Sequence, residues 1–448
     1  MSKLRSKLAQ LPSAGPGSKA PPIETLSKSG RVRRLQRAID RLSTRTRSTT
    51  GADALAGLLS ATVTPRVREH GTATLPGAVE DTPHGMVHRV AHLLEPHHCH
   101  GRVAVASALE AEPELVGELA LDPAFDGLDL SRMLLIDTET TGLSIASGTL
   151  PFLIGTAWFE DESLNVEQLM LTELGNEAPM LRVLADRLAW ASCVVSYNGK
   201  SFDWPLLRAR YVMNRVETPP LPPHLDLLHC ARRVFKRRLD SVRLVDMERE
   251  LLAFEREHDV SGAEIPGIYL TFIRSGDPGR LDGVVEHNGH DLIALAAILG
   301  ELTRRFRDVQ RADDPLDHLG YARVAERAGD RERALRFSLA ALEGGGDERC
   351  TYDACMLRAR VARRAGNPAM EEEALHGALR VKPGPAVHLE LSKLYEHRLK
   401  CLPRALRHAL ETVPVETIEG NERRIRRLQK RLARANRRHT LATRRDSR

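Results

Sequence analysis

Four acidic residues lie where they could hold divalent cations. Asp137 and Glu139 are two residues apart at the end of a short apolar run, and in a strand such side chains point to the same face. Carboxylates held together in a half-buried place repel one another unless a cation neutralises them. A pair of divalent ions needs more negative charge than two carboxylates supply, and Asp203 and Asp291 are the candidates for the rest. The constellation therefore predicts metal-assisted phosphodiester hydrolysis.

Each of these acids also has an ordinary structural explanation. An Asp-x-Glu is common in surface turns, and Asp203 and Asp291 each lie where a predicted helix opens, a place where aspartate caps helices. Two observations favour a shared site instead. The residues before Asp137 are apolar, and all four acids occur in order within one segment that alternates between predicted strands and helices.

That alternation predicts an α/β domain to position the acids. Apolar and alternating patterns predict strands over 132–138, 149–159, 164–171 and 192–197, and a helix over 178–191. A turn at 161–163 joins two of the strands into a hairpin, and a further helix begins near Phe202. Alternation continues to about Leu302, which is typical of a largely internal sheet covered by helices.

After Pro315 the patterns predict helices only. Amphipathic segments at 319–342 and 357–381 each contain a turn, at Gly329 and Gly366, and a weaker copy follows at 389–413. Gly329 and Gly366 are 37 residues apart in the sequence, which is close to, but not equal to, the tetratricopeptide period of about 34 residues. We therefore predict an irregular, tetratricopeptide-like helical module.

The patterns divide the chain into five parts. They are a basic, largely disordered leader (1–80), an extension packing on the nuclease domain (81–130), the nuclease domain itself (131–305), the helical module (315–415) and a basic helical tail (416–448). Residues 1–50 contain twelve Lys and Arg against two acidic residues, and residues 421–448 contain the same numbers. Such ends can meet a polyanion, although solvated tails explain them equally well. No apolar run is long enough for a membrane span or a signal peptide, so we expect a cytoplasmic protein.

Several motifs resemble a known family. The sequences LLIDTETTGL at 134–143 and SYNGKSFDWPLL at 196–207 resemble the first two motifs of the DEDD exonuclease superfamily. The segments 224–227, 251–269 and 287–291 resemble the YprB-like family of predicted ribonuclease H-like exonucleases. The resemblance implies a ribonuclease H-like mixed sheet flanked by helices, hydrolysis of RNA or DNA, Mg²⁺ or Mn²⁺ as cofactor, and often a tetratricopeptide-like C-terminal region.

One departure from the superfamily pattern concerns the general base. The superfamily has a histidine five residues before its last aspartate or a tyrosine four residues before it, whereas this chain has Glu286 and His287 at those positions. His287 is therefore our choice for the general base or water-positioning group, because imidazole accepts a proton near neutral pH. His290 is the competing candidate, and a purely structural role is the alternative for both.

Further polar residues near the motifs complete the predicted site. We assign Thr140, Asn198, Lys200 and Asn288 to substrate binding, although turn formation also explains the Asn198-Gly199 pair. Asp226 follows a predicted strand, and it could approach the cations as a fifth carboxylate or serve only structure.

Two functions from different classes follow. In the first, Asp137, Glu139, Asp203 and Asp291 bind two divalent cations, and His287 orients the water that attacks the phosphate of RNA or DNA. In the second, the fold binds nucleic acid without cleaving it, and the helical module serves as a scaffold for a protein partner. Intact carboxylates oppose the second, because a binding-only surface gains nothing from negative charge that faces a polyanion.

Overall fold

A computed structural model describes residues 74–142, 148–412 and 417–446, with side chains described to residue 437. The predicted leader lies almost wholly outside these residues. Most of the chain from Ala78 to Arg307 forms one mixed sheet with helices around it, and the part from Pro315 onward is helical. Among the described helices, none is long and apolar enough to cross a membrane.

The main sheet has seven strands, and two further strands form a separate small hairpin. The strands of the main sheet are β1 (Ala78–Thr82), β2 (Gly85–Leu94), β5 (Met133–Thr140), β6 (Pro151–Glu160), β7 (Ser163–Met170), β8 (Cys193–Ser196) and β9 (His224–Asp226), and those of the hairpin are β3 (Cys99–His100) and β4 (Val103–Ala104). The order in the main sheet is β1-β2-β7-β6-β5-β8-β9. Neighbouring strands are antiparallel from β1 to β5 along this order and parallel from β5 to β9.

The central strands form because their residues suit a sheet that is buried on both faces. The first nine residues of β6 are all buried, and β5 begins with four buried apolar residues. Such near-continuous apolar runs are typical of strands covered on both sides. The predicted hairpin is confirmed as β6 and β7, which turn through Asp161 in the left-handed region with φ of 53°.

Helices cover the sheet and position the residues of interest. They are α1 (Pro113–Ala120), α2 (Glu177–Trp190), α3 (Asp203–Met213), α4 (Leu227–Phe235), α5 (Leu244–Met247), α6 (Ile265–Ser275) and α7 (Leu281–Arg307). The long helix α7 crosses β5, β6 and β7 and also packs on a 3₁₀ helix at Val105–Glu110. The mixed sheet flanked by helices agrees with the predicted ribonuclease H-like architecture.

The region after Pro315 is all-helical, as predicted. It contains α8 (Pro315–Ala328), α9 (Arg331–Glu343), α10 (Glu348–Arg364), α11 (Pro368–Val381), α12 (Pro385–His397), α13 (Leu402–Ala409) and α14 (Ile418–Asp446). Each helix packs against its successor. Gly329 and Gly366 have φ of 95° and 73° in the turns between helices, where a side chain would be strained. The tetratricopeptide-like assignment stays a prediction.

The sheet begins earlier in the chain than the predicted domain division suggests. Strands β1 and β2 extend the antiparallel side of the sheet, and β2 pairs with β7 from His88–Met170 to Leu94–Leu164. Strand β2 contains two histidines and an arginine among its apolar residues, so its periodicity is weak. The hydrogen bonds with β7 hold β2 in the conformation of a strand.

Candidate active site

Strand β5 carries two of the predicted carboxylates on one face. Along its second half, Asp137 and Glu139 are half-buried while Thr138 and Thr140 are buried, which is the alternation that a strand requires. The pairing of β5 with β6 shifts its register between Glu139 and Thr140. Irregularities of this kind often lie beside active sites, where they redirect a side chain.

Helix α7 brings a third carboxylate and a histidine to this face. His287 Nε2 lies 3.8 Å from Glu139 Oε1 and 3.8 Å from Asp291 Oδ2. One ligand atom from each of these three residues lies within 4.8 Å of the other two, and no other such group of His, Cys, Asp or Glu occurs among the described residues. A single cation could therefore contact all three.

The expected position of Asp291 at a helix opening is wrong. Helix α7 begins ten residues earlier, at Leu281, and continues through Asn288-Gly289 without a turn. Buried apolar residues on both sides, including Val285 and Leu292, anchor the helix to the sheet. Their burial outweighs the cost of about 1 kcal/mol for a glycine inside a helix.

Asp203 joins the site from the parallel side of the sheet. It begins α3, in agreement with the helix predicted to start near Phe202, and its Oδ1 accepts a hydrogen bond of 2.5 Å from Thr138 Oγ1 on β5. Both residues are buried. This contact attaches the start of α3 to the strand that carries Asp137 and Glu139.

Asn288 positions Asp137, and its predicted contact with substrate needs correction. Its side chain is fully buried, donates from Nδ2 to Asp137 Oδ2 at 2.7 Å, and accepts from Gln168 Nε2 at 2.9 Å. Gly155, which lies opposite Asp137 on β6, makes room for it, because a Cβ there would lie 2.2 Å from Asn288 Oδ1. A side chain enclosed in this way cannot reach a substrate.

A buried arginine and its partners were missed in the sequence. Arg256 is only 5% exposed and donates from Nη2 to Asp291 Oδ1 at 2.5 Å and from Nε to Glu248 Oε2 at 2.9 Å. Its neighbour Asp259 lies 2.7 Å from His287 Nδ1. Both residues belong to the 251–269 segment that carried part of the family resemblance, which was the one signal available for them.

The two candidate histidines occupy different surroundings. When Nδ1 of His287 donates to Asp259, its Nε2 lone pair faces Glu139 and Asp291. His290 instead lies near His100 and Phe254, with ring centroids 6.1 and 5.8 Å away. It lines a cavity of about 550 Å³ between β2, β7 and α7. The structure therefore places His287, and not His290, beside the carboxylates.

Asp226 holds a loop and does not join the carboxylate group. Its side chain is fully buried, and it accepts backbone hydrogen bonds from Asn198 at 2.8 Å, Lys200 at 3.3 Å and Leu228 at 3.1 Å. It thus caps α4 and fixes the loop that leads to Asp203. The structural alternative accounts for Asp226.

The other residues assigned to substrate binding differ in exposure. Asn198, with φ of 69°, and Lys200 are exposed on the loop held by Asp226. Thr140 is buried and its hydroxyl donates to the Gly142 carbonyl at 2.8 Å. Asn198 and Lys200 are therefore accessible to a bound strand, whereas the Thr140 side chain is engaged within the protein.

The electrostatics of the site follow from crowding several acids in a poorly solvated place. Burial raises the pKa of Asp137 well above its usual range, and the charges of Asp291, Asp203 and Glu139 raise it further. The pKa of Glu139 is raised well above its usual range by burial and then by Asp291 and Asp203. Burial also raises the pKa of Asp203 to about 6 and that of Asp291 in spite of Arg256. The charge of Arg256 thus does not offset the burial and mutual repulsion of these acids.

The donor set suits a hard divalent cation. The site offers the carboxylate oxygens that Mg²⁺ and Mn²⁺ prefer, whereas the imidazole nitrogen of His287 is a ligand type better suited to zinc or iron. Arg256 contacts only Oδ1 of Asp291, while Oδ2 is the oxygen 3.8 Å from His287. A cation bound there would remove the repulsion that raises the carboxylate pKa values.

Comparisons with known proteins agree with this architecture. Residues 134–303 match the model of the RNase H superfamily. The chain is also similar to the uncharacterized protein YprB of Bacillus subtilis (strain 168), with 34% identity over 194 residues, 43% of this chain and 46% of YprB. The chain thus spans about half the length of this relative. Residues 134–303 therefore form a ribonuclease H-like domain, and 194 residues of the chain are similar to YprB.

Proposed function

We propose that the protein is a metal-dependent nuclease that hydrolyses phosphodiester bonds of RNA or DNA. The observation that carries the proposal is the group of Glu139, His287 and Asp291, whose ligand atoms lie within 4.8 Å of one another, with Asp137 on the same strand as Glu139 and Asp203 at the start of α3. Four acids crowded in this way destabilise the fold unless they serve a ligand of positive charge. The likeness of two segments to DEDD motifs favours exonuclease action.

The residues that would hold the cations are Asp137, Glu139, Asp203 and Asp291. We take the number of cations to be two, by analogy with the DEDD superfamily. Bound divalent cations would supply Lewis acidity toward the scissile phosphate and its attacking water. The chain's own contribution is to hold the carboxylates in place. Asn288 orients Asp137, Thr138 orients Asp203, and Arg256 orients Asp291.

His287 would act as the proton acceptor or water-positioning group. Asp259 accepts from its Nδ1 at 2.7 Å, which fixes the ring and favours the tautomer with a free Nε2. That nitrogen points to the carboxylates, where the attacking water would lie. Asn198 and Lys200, exposed on the neighbouring loop, would contact the strand being cleaved.

The test is cleavage of end-labelled single- and double-stranded RNA and DNA with Mn²⁺, with Mg²⁺ and with chelator. D137N and D203N should each reduce metal-dependent cleavage to background, while D161N, in the exposed β6–β7 turn, should leave it unchanged. Calorimetric titration with Mn²⁺ gives a second readout, since D137N should weaken cation binding at least tenfold. Full cleavage by both D137N and D203N would refute the proposal.

The scaffold alternative makes a different prediction in the same experiment. It expects binding of nucleic acid that is indifferent to Mn²⁺, with no cleavage by the wild-type protein. The half-buried acids argue against it, because they would repel a polyanion unless cations lay between them.

A further inference from the structure

Helix α14 (Ile418–Asp446) has one face that is anchored to the helical region and another that is almost purely cationic. Ile425 packs against the core of that region, and Leu428 is fully buried in it. These two apolar side chains are therefore already packed within the protein. The side chains between them on the exposed surface of the helix are mostly charged.

Six cations share one side of this helix. They are Arg423, Arg426, Arg427, Lys430, Arg431 and Arg434, and together they line a groove of about 410 Å³ with no acidic residue in its lining. Their spacings of three and four residues place them along one stripe. At 1.5 Å per residue the stripe is about 16 Å long.

Some of these cations have a structural task and others do not. Arg427 and Arg431 donate to Glu396, which is 1% exposed, at 2.7 and 2.8 Å. They fasten the helix to α12. Arg426 meets only the exposed Glu422, and Lys430 and Arg434 have no acidic partner among the residues whose side chains are described.

The stripe is unfavourable for an isolated helix. Pairs such as Arg423–Arg427, Arg426–Lys430 and Lys430–Arg434 are four residues apart, and like charges at this spacing destabilise a helix. Exposed pairs with Glu419 and Glu422 offset little of this repulsion. A polyanion lying along the stripe would replace this repulsion with attraction between its phosphates and the cations.

We propose that this stripe binds the phosphate backbone of a nucleic acid, at a surface separate from the carboxylate site. Arginine and lysine on a rigid helix contact phosphates without reading bases. The described side chains of α14 include no aromatic ring on which an unpaired base could stack, so binding is independent of base sequence. A membrane is a poorer partner, because an interfacial helix must insert its apolar side chains, and here Ile425 and Leu428 are packed inside the protein.

The inference extends the proposed nuclease function, since the stripe would retain the substrate while the carboxylates cleave it. It can nevertheless be tested without cleavage. Binding of fluorescent RNA and DNA, single-stranded and duplex, is measured by anisotropy in the presence of chelator. The salt concentration is varied from about 50 to about 200 mM, the range in which binding through phosphate contacts weakens strongly.

The test variant is R423Q/R426Q/K430Q/R434Q, which spares the two arginines on Glu396. Its affinity should fall at least tenfold. Its slope of log affinity against log salt should become shallower by up to about 3.6 for duplex DNA, which is about 0.9 for each of the four lost phosphate contacts. The matched control, R327Q/R331Q/R336Q/R349Q, removes the same charge from exposed positions elsewhere in the helical region and should bind like wild type.

Three outcomes in the variants would overturn the proposal. They are unchanged affinity in the test variant, an equal loss in the control, and a loss in R423K/R426K/R434K, which keeps the charge and should retain binding. Wild-type binding to phosphatidylserine vesicles in preference to nucleic acid would also overturn it. Loss of cleavage in D137N with unchanged anisotropy leaves the stripe intact, whereas absence of cleavage in wild type with full binding contradicts only the nuclease function.

Discussion

At the scale of single residues, the site depends on one buried positive charge as much as on its acids. Arg256 is the cation among the described residues that contacts both Asp291 and the fully buried Glu248. It offsets part of the repulsion in a group that otherwise contains only acids and a histidine. Its removal would leave Asp291 and Glu248 with histidines, His287 and His100, in place of a permanent positive charge.

We therefore expect R256M to lower the free energy of unfolding by about 3 kcal/mol in chelator, as is usual when one member of a buried ion pair is lost. Urea denaturation measures the change. R280Q, which breaks an exposed pair with Glu264, is the control and should change stability by less than about 0.5 kcal/mol. If R256M is as stable as R280Q, Arg256 is not needed to balance the carboxylates.

At the scale of elements, the close packing of α7 on β6 keeps Asn288 within hydrogen-bond distance of Asp137. Gly155 and Asn288 are in such close contact that no side chain fits at residue 155. The absence of a Cβ lets Asn288 remain hydrogen-bonded to Asp137 while α7 lies close to the sheet.

G155A should therefore push α7 away from β6, lower stability by about 1–3 kcal/mol and weaken cation binding. Thermal unfolding and Mn²⁺ titration measure the two effects. G267A is the control, since Gly267 lies in α6 with open space around it and alanine there should be neutral or slightly stabilising. Equal behaviour of the two variants would contradict this account of the packing.

A second element-scale property concerns helices α11, α12 and α13. Burial, followed by the charges of His388 and His376, lowers the pKa of His408 to about 4. Its ring stacks on Tyr395 with centroids 5.6 Å apart, and its Nδ1 lies 2.9 Å from His388 Nδ1. Glu372, Arg404 and Arg407 also lie around this histidine group.

A folded-state pKa below the unfolded value of 6.5 means that protons bind more tightly to the unfolded chain. The contribution of His408 to stability is thus complete above pH 6.5 and is lost as the pH falls toward 4. Thermal unfolding of the wild type should show this decline, and H408Q should reduce its steepness. A wild-type profile identical to that of H408Q between pH 6.5 and 4 would contradict the role of His408.

At the scale of the whole molecule, the helical region and the sheet domain share a core. A single group of buried side chains extends from Val103 to Val361, and α8 packs on α4 and α1. At Gly320 the two backbones lie close together, because a Cβ there would lie 2.3 Å from the Val234 carbonyl oxygen. The two regions are therefore in intimate contact.

We expect G320L to separate α8 from α4, to lower stability by at least about 2 kcal/mol and to split one unfolding transition into two. Differential scanning calorimetry measures both effects. A328L, at an exposed position of the same helix, should unfold like wild type. One unshifted transition in G320L would show that the contact does not couple the two regions.

The sequence by itself determined the α/β class, the hairpin β6–β7 and the helical region, and it named the acids of which Glu139 and Asp291 lie together with His287. It could do so because a buried strand, a turn and an amphipathic helix each have a local signature. The start of α7 could not be predicted in this way, because Asn288-Gly289 has the chemistry of a turn and only packing keeps the helix continuous there.

Tertiary structure alone decided the roles of Asn288, Asp226 and Arg256. Each of these polar side chains resembles a surface residue in the sequence, yet each is buried or nearly so, and its role is set by a partner far along the chain. Burial of a polar group depends on which distant groups can satisfy it, and no local pattern encodes that pairing.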